Sequence, residues 1–373
     1  MKDTGPPLLL INPWIDDFAA YDFFAQPLGL LYLAGLLAES GYEVHLLDCL
    51  GGPRSRSGPF GTGRYSKEIQ PTPPPLASIP RRYGRYGIPE SNCRARLSQV
   101  PRPAAILVTS LMTYWYPGVS AAVRLAREHF PGVPVILGGI YATLCPEHAR
   151  RHSGADLVVS GPGEEQILAL LADLTGFRPP LSTPLDFESL PYPALHWQPH
   201  LSFIPSLTSW GCPFSCSYCA SHLLQPRYQR RQPLAVAEEL LYWQEHLGLI
   251  DVAFYDDALL LQPEEHLLMI LQEVRRRGRP FRFHTPNGLH VREITPEVAQ
   301  GLKEAPFATL RLGVETTALG HARFDDKLAP GELETALTHL KEAGFKKEEM
   351  GVYLLVGLPD QEDGAIETSI RRI

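Results

Sequence analysis

No apolar run in this chain of 373 residues approaches the ~20 residues that cross a bilayer as a helix, so a soluble protein is expected. The start, Met1-Lys2-Asp3-Thr4-Gly5, lacks the charged and apolar regions of a secretory signal. Positive charge is not in excess. Against 34 Lys and Arg stand 41 Asp and Glu, a formal net charge of −7, which gives no whole-chain basic footprint for nucleic acid. A tRNA or rRNA substrate is therefore not expected. No short repeat argues for a solenoid. Cysteine is scarce, at six residues, and it is clustered rather than scattered as in a disulfide framework; this points to a reducing cytoplasm. Cys49, Cys93 and Cys145 lie too far apart for a second metal motif and read as free buried thiols.

The other three cysteines, Cys212, Cys216 and Cys219, occupy the run Thr-Ser-Trp-Gly-Cys-Pro-Phe-Ser-Cys-Ser-Tyr-Cys-Ala, a C-x3-C-x2-C spacing after the apolar segment Phe203 to Leu207. Thiolates this close suit zinc or an iron-sulfur cluster, and structural zinc normally takes four protein ligands. Three ligands point to a cluster with one open iron. Three small buried cysteines with no metal is the plainer alternative, and half of the chain's cysteines falling within eight residues argues against it.

Around this run the sequence reads as two α/β domains, residues 1–175 and 201–373, joined by a Pro-rich linker over 176–200. In the first domain, strands are expected at Leu8 to Ile11, Val44 to Leu47, Ala105 to Thr109, Val133 to Leu137 and Asp156 to Ser160. Helices are expected at Leu28 to Leu37, Val119 to Glu128 and Glu164 to Leu174, giving a Rossmann-like, doubly wound sheet. Residues 51–95 interrupt it. Gly51 to Pro89 is rich in Gly, Pro, Ser and Arg, has no period, and reads as an irregular insertion. Its end, Arg81-Arg82-Tyr83-Gly84-Arg85-Tyr86-Gly87, reads as a solvated loop, with a flap over an anionic ligand as the sharper alternative.

In the second domain, strands are expected at Ile204 to Ser209, Asp251 to Tyr255, Phe281 to Thr285, Thr309 to Gly313 and Gly351 to Val356. Helices alternate with them at Leu234 to His246, Pro263 to Arg277, Pro296 to Lys303 and Glu332 to Ala343. Such β/α units suit a barrel or part of one, whose ligands bind at the carboxyl ends of the strands. The cysteines follow the first strand of this series.

The cysteine run, with Tyr218 directly before the third cysteine, resembles the signature of the radical S-adenosylmethionine (SAM) superfamily. The resemblance implies that Cys212, Cys216 and Cys219 hold a [4Fe-4S] cluster whose fourth iron is chelated by the amino and carboxylate groups of SAM. It further implies reductive cleavage of SAM to methionine and a 5′-deoxyadenosyl radical that abstracts hydrogen from a small-molecule substrate, with a reductant such as flavodoxin or ferredoxin as partner. Ordered segments support it. Phe254-Tyr255-Asp256-Asp257 resembles the family's amino-group segment, and Asn287 and Gly288 follow the third strand. Gly313-Val314-Glu315 resembles the ribose-proximal segment and Gly357-Leu358-Pro359 the segment near adenine. The SAM contacts implied are Tyr218, Asp256, Asp257, Asn287, Glu315 and Gly357. An acidic helix N-cap is the plainer role for Asp256 and Asp257. His284 and His290, near the third strand's mouth, are candidates to face substrate, with packing as the alternative. This core has five of the family's usual six units, so a fragment or a remainder supplied by a partner is expected.

The first domain also resembles a cobalamin-binding domain, on Pro27-Leu28-Gly29-Leu30-Leu31-Tyr32-Leu33-Ala34, Leu137-Gly138-Gly139-Ile140-Tyr141-Ala142-Thr143 and Ser160-Gly161-Pro162-Gly163-Glu164-Glu165. By that resemblance Gly29, Ser110, Gly138, Gly139, Gly161, Gly163 and Glu164 line cobalamin. Glycine permits the close approach and positive φ that such loops need. The D-x-H-x-x-G motif that supplies a histidine to cobalt in methionine-synthase-type domains is absent; the first turn reads Asn12-Pro13-Trp14-Ile15-Asp16-Asp17. His45 sits within a strand and reads as structural.

The leading expectation is a cobalamin-dependent radical SAM methyltransferase. Radical SAM oxidation, cyclisation or rearrangement without methyl transfer stays open, as does a non-catalytic iron-sulfur or cobalamin module. Methylthiotransferases place a second cluster near the chain start, and with Cys49 the earliest cysteine and no iron ligand in the first strand–helix turn that reading is disfavoured.

Overall fold

The computed structural model describes residues 5–179, 186–317, 328–329, 331–358 and 361–373. It divides into two compact units between Ser202 and Phe203.

The first unit is built on β1 (Pro7–Asn12), whose Leu8, Leu9, Leu10 and Ile11 are all buried. An unbroken apolar run is tolerated where both faces of a strand are covered, the situation of a parallel sheet. After β1 come α1 (Leu28–Glu39), β2 (Glu43–Asp48), β3 (Ala105–Val108), α2 (Tyr116–His129), β4 (Val135–Leu137), β5 (Leu157–Val158) and α3 (Ile167–Thr175). The strands pair in the order β5-β4-β3-β1-β2, all parallel, with Leu9 opposite both His45 and Ile106. Chain order therefore reverses between β1 and β3, and a ligand crevice opens at the carboxyl ends beside such a switch point. This is the expected doubly wound architecture. Its core joins Leu9, Ile11, Leu47, Ile106, Val108, Val135 and Leu137 to the buried face of α2. The pair Cys49 and Cys93 lies there too, fully buried, with the sulfurs 3.8 Å apart.

The insertion corrects the sequence reading. Strand Gly84–Tyr86 lies between Ile15–Asp17 and Lys67–Ile69, and strand Gly63–Tyr65 between Tyr21–Asp22 and Arg54–Ser57, all antiparallel. A helix, Glu90–Leu97, follows. Tyr65 and Tyr86 are buried and form a small core with Ile15, Ala20 and Leu50. Arg85 is neither solvated nor free for an anion. Its guanidinium makes two bonds to the Asp16 carboxylate, of 2.8 and 2.7 Å, and lies over the Trp14 ring at 5.0 Å. Arg54 likewise pairs with Asp22 and covers Tyr65 at 4.4 Å. In place of the expected solvated loop, or of a flap as its alternative, the segment is a clasp that pins the turn after β1.

The second unit alternates β6 (Ile204–Ser206), α4 (Pro233–Leu247), β7 (Asp251–Phe254), α5 (Leu267–Arg276), β8 (Arg282–His284), α6 (Pro296–Glu304), β9 (Phe307–Glu315), α7 (Glu332–Glu342), β10 (Met350–Leu354) and α8 (Asp363–Arg372). The strands run parallel in sequential order β6-β7-β8-β9-β10, and a short strand, Leu289–His290, also pairs with β9. Right-handed crossovers between strands in this order place the helices on one side of the sheet. The side-chain alternation agrees. Val252, Phe254, Phe283, Phe307, Leu310, Leu312 and Val314 form one buried apolar face, matched by the apolar faces of α4 to α7. The other face carries Asp251, Arg282, His284, Thr309 and Arg311, and the register shifts between Gly313 and Glu315.

Candidate active site

The cysteine loop begins where β6 ends. Ser209 and Trp210 form a short antiparallel ladder with Gln229 and Arg230, and Gly211 then takes φ +73°. A Cβ at Gly211 would stand 3.0 Å from the Gln225 carbonyl oxygen and 3.1 Å from that of Arg227. Only glycine serves both the close approach and the left-handed backbone here. Beyond it, Cys212, Cys216 and Cys219 are partly exposed and in no disulfide. The Cys219 amide closes a turn onto the Cys216 carbonyl at 3.0 Å. Burial, with Asp257 and the neighbouring sulfurs, holds the Cys212 thiol above its ordinary range.

Two adjacent carboxylates bracket this loop. Asp256, 3% exposed, accepts bonds from the Thr208 hydroxyl (2.7 Å), the Ser209 hydroxyl (2.6 Å) and the Thr208 amide (3.1 Å) upstream of the cysteines. Asp257 accepts 2.7 Å from the Ser221 hydroxyl downstream of them. The amide of that same Ser221 points at the Cys219 sulfur at 3.5 Å. The Thr208 hydroxyl also meets Nε2 of buried His266 at 2.9 Å. Burial, helped by the Arg230 charge, pushes His266 down to about 4 and keeps it neutral. Desolvation raises Asp256 despite its donors. The Asp256 carboxylate is thus an internal brace, and the backbone carbonyl is what Asp256 leaves for a ligand.

The remaining strand ends gather other expected residues. Asn287 donates to the Tyr255 carbonyl at 2.7 Å and reaches the Asp256 carbonyl at 3.4 Å. Glu315 ends β9 with φ +64°, a costly conformation for a side chain with Cβ, and its carbonyl accepts from Leu355 at 2.9 Å. Gly357 has φ +89° with open space where a Cβ would be, and its amide donates to Gln361 at 2.8 Å. Tyr218 is half-buried. Pro359 lies outside the described residues.

His284 departs from expectation. It is fully buried, with Nε2 2.8 Å from Asp251 and Nδ1 3.0 Å from the Thr309 hydroxyl, and burial lowers its basicity. Both nitrogens are used within the sheet, so it does not face substrate. His290, 6% exposed, packs its ring against Phe214 of the cysteine loop at 4.7 Å. Sequence reasoning missed Thr208, Ser209, Ser221 and His266, whose roles rest on contacts across 36 to 58 residues.

In the first unit, three carboxyl-end loops join into one ridge. Ser110, on the loop after β3, donates to the Gly138 carbonyl at 2.6 Å, and its own carbonyl accepts from the Ile140 amide. Gly139 takes φ +91°, and a Cβ there would sit 2.3 Å from the Ser110 carbonyl oxygen. Thr143 bonds the Gly139 carbonyl at 2.9 Å and receives the Gly161 amide at 3.0 Å; Ser160 donates to the Ala142 carbonyl at 3.0 Å. Gly161 has φ +83°, and the space a Cβ at Gly138 would fill is empty. Gly163 borders Leu33, Gly29 lies exposed on α1, and burial raises the Glu164 carboxyl. His45 pairs with Glu43 at 2.9 Å on the surface.

Both donor sets fit the groups expected. Three cysteines on one loop, in no disulfide and one already receiving an amide N–H, are the chemistry of a cluster-ligating site. Among the described residues no three His, Cys, Asp or Glu converge on a point that would hold a single metal ion. A cubane needs no such convergence, since each thiolate meets its own iron. The ridge around Gly138 and Gly161 offers bare backbone to a large flat ligand.

Comparison with known proteins gives the same division. Residues 207–373 match the model of the radical SAM superfamily, and residues 92–171 that of the B12 binding domain. The chain is 24% identical over 298 residues to an uncharacterised methyltransferase of Pyrococcus horikoshii, covering 72% of this chain and 63% of the relative. It is 22% identical over 368 residues to the cytidylyl-2-hydroxyethylphosphonate methyltransferase of Streptomyces wedmorensis, covering 83% and 65%. The chain thus spans less than two thirds of the length of these relatives. Its fold is similar to that of the radical SAM methyltransferase TsrM from Kitasatospora setae, solved with cobalamin and a [4Fe-4S] cluster, at a TM-score of 0.70 and 16% identity, covering 99% of this chain and 70% of that one. Among the described residues no helix is long and apolar enough to cross a membrane.

Proposed function

Because this chain belongs to the radical SAM superfamily over residues 207–373 and carries a B12 binding domain over residues 92–171, we propose that it is a cobalamin-dependent radical SAM methyltransferase. The observation that carries the reading is the braced three-thiol loop, encoded in one chain with a bare glycine ridge on a doubly wound sheet. Methyltransferases among the relatives support it. When bound, the cluster and SAM supply a 5′-deoxyadenosyl radical, and cobalamin supplies a transferable methyl group.

The chain's own residues have separable tasks. Cys212, Cys216 and Cys219 ligate the cluster, and Asp256 and Asp257 set the loop that presents them. The Tyr255 and Asp256 carbonyls, now capped by Asn287, accept the ammonium of SAM. Glu315, held at positive φ, accepts from ribose hydroxyls, and Gly357 leaves room beside the adenine. Ser110, Gly138, Gly139 and Gly161 line cobalamin with backbone. The substrate is a small molecule, and a one-electron donor of the flavodoxin or ferredoxin type supplies the electron.

The test is anaerobic reconstitution with iron, sulfide and hydroxocobalamin, followed by dithionite and SAM. Formation of 5′-deoxyadenosine with retained cobalamin is expected. A protein that carries its cluster and cleaves no SAM sinks the enzyme reading, and one that binds no cobalamin removes methyl transfer from it.

A further inference from the structure

Arg311 occupies the polar face of the second unit's sheet, in register with Gly351 of β10 and two residues before Gly313. Its neighbours Leu310 and Leu312 point to the opposite, apolar face. The guanidinium lies across β10. A Cβ at Gly351 would stand 3.0 Å from its Cδ and Nη1, so the bare backbone of Gly351 is what lets the side chain extend there. Nη1 donates to the Leu310 carbonyl at 3.0 Å, and the charge acts on the Tyr353 phenol, whose hydroxyl donates to the Pro286 carbonyl at 2.6 Å. Arg311 is held, half-buried, by neutral groups.

That arrangement leaves the charge without a counterpart among the described residues. Arginine does not lose its proton in a protein, and cations withdrawn from water are paired. The other arginine on this face, Arg282, follows the rule, with 2.5 and 2.7 Å bonds to Asp251. Arg311 forms no ion pair with any carboxylate among the described residues. Its field reaches inward and helps depress His284. Beside it, Tyr353 is 42% exposed, so solutes have a path to the pair. A planar fork fixed by carbonyl and phenol, with its remaining N–H groups unspent, is suited to two parallel bonds with an oxyanion.

We propose that Arg311 is a substrate-binding residue that takes the oxyanion of a small anionic substrate, a carboxylate or a phosphoryl group, with Tyr353 and Gly351 fixing its direction. This deepens the function proposed above and rests on it. Glu315, four residues along β9 and beyond the register shift after Gly313, then lies toward the carboxyl end of the strand from the oxyanion. Substrate charge and SAM ribose would meet different positions of one strand.

The experiment follows arginine modification in the reconstituted wild-type protein. Phenylglyoxal labelling of Arg311 is quantified by mass spectrometry at constant ionic strength in chloride, in acetate and in inorganic phosphate, each with and without SAM. Labelling several-fold slower in acetate or phosphate than in chloride is expected, and the stronger protector identifies the class. Equal rates in all three anions overturn the proposal. So does an Arg311 that resists the reagent in chloride, because a sealed residue cannot meet substrate. Protection by SAM alone assigns the residue to the SAM carboxylate and overturns it as well. SAM cleavage by the same preparation is scored separately: anion protection without cleavage removes the enzyme reading and leaves the anion site standing.

Discussion

Asp256 and Ser209 are joined by a 2.6 Å hydrogen bond across 47 residues of sequence, and the neighbouring Asp257 makes the matching bond to Ser221 at 2.7 Å. Adjacent carboxylates therefore point in different directions and hold the two ends of the cysteine loop. The four bonds that Asp256 accepts are inside the protein, whereas Asp257 is exposed. Replacing Asp256 with Ala leaves buried donors unsatisfied and should lower unfolding free energy by about 1–3 kcal/mol, with loss of iron after reconstitution. Asp257→Ala should change stability by no more than about 0.5 kcal/mol and reduce iron content less. Denaturant midpoints and iron assays on both variants check this; equal destabilisation contradicts the division of labour.

Glu315 makes a prediction with two signs. Glu315→Gly relieves the positive φ and should leave stability unchanged or raise it by about 0.5–1 kcal/mol, while weakening SAM binding. Glu315→Gln keeps the backbone and should also weaken SAM binding, with iron content intact. Calorimetric unfolding beside equilibrium SAM binding separates the effects.

His266 sets a pH dependence. Its ordinary value is 6.5 and its folded value about 4, so between these the unfolded chain binds the extra proton. Its contribution to stability is complete above pH 6.5 and is lost as pH falls toward about 4. Moving from pH 7 to pH 5 should cost the wild type about 2 kcal/mol more than His266→Gln. Asp256, raised by burial, runs the opposite way and is common to both proteins. Urea unfolding at the two pH values measures the difference, and parallel losses would remove His266 as the cause.

Cys216→Ala should abolish the visible absorbance of the reconstituted cluster. Retention of full absorbance and three or more irons per chain, a number on the order of a cubane's complement, would contradict the ligand assignment.

Gly139→Ala tests the ridge. A Cβ 2.3 Å from the Ser110 carbonyl at φ +91° forces the loop to move. The variant should lose about 1–3 kcal/mol of stability and most retained hydroxocobalamin. Gly138→Ala, where the added methyl meets no protein atom within 4 Å, should stay as stable as the wild type and still bind less cobalamin.

What the sequence made legible was local. Leu8 to Ile11, Val44 to Leu47 and Ala105 to Thr109 are runs whose burial needs no partner to be named, and all three are strands. The cysteine spacing is equally local. The insertion was opaque because its strands are two to four residues long and their partners distant: Tyr86 pairs with Ile15, and Arg85 finds Asp16 across 69 residues. The task of the Asp256 carboxylate and that of His284 were opaque for the same reason. A carboxylate at a strand end suits a ligand or a brace equally well, and only the positions of Thr208 and Ser209 decide. An imidazole near a strand mouth is spent once Asp251 and Thr309 are known to flank it.

The brace has a consequence in time. During synthesis the chain emerges amino end first, and Cys212, Cys216 and Cys219 appear well before Asp256 and Asp257. Until the second β/α unit has been made and docked, neither end of the cysteine loop is anchored. The thiols are thus exposed on a slack segment during an early window of the protein's birth, and iron delivered then meets no shaped receptor.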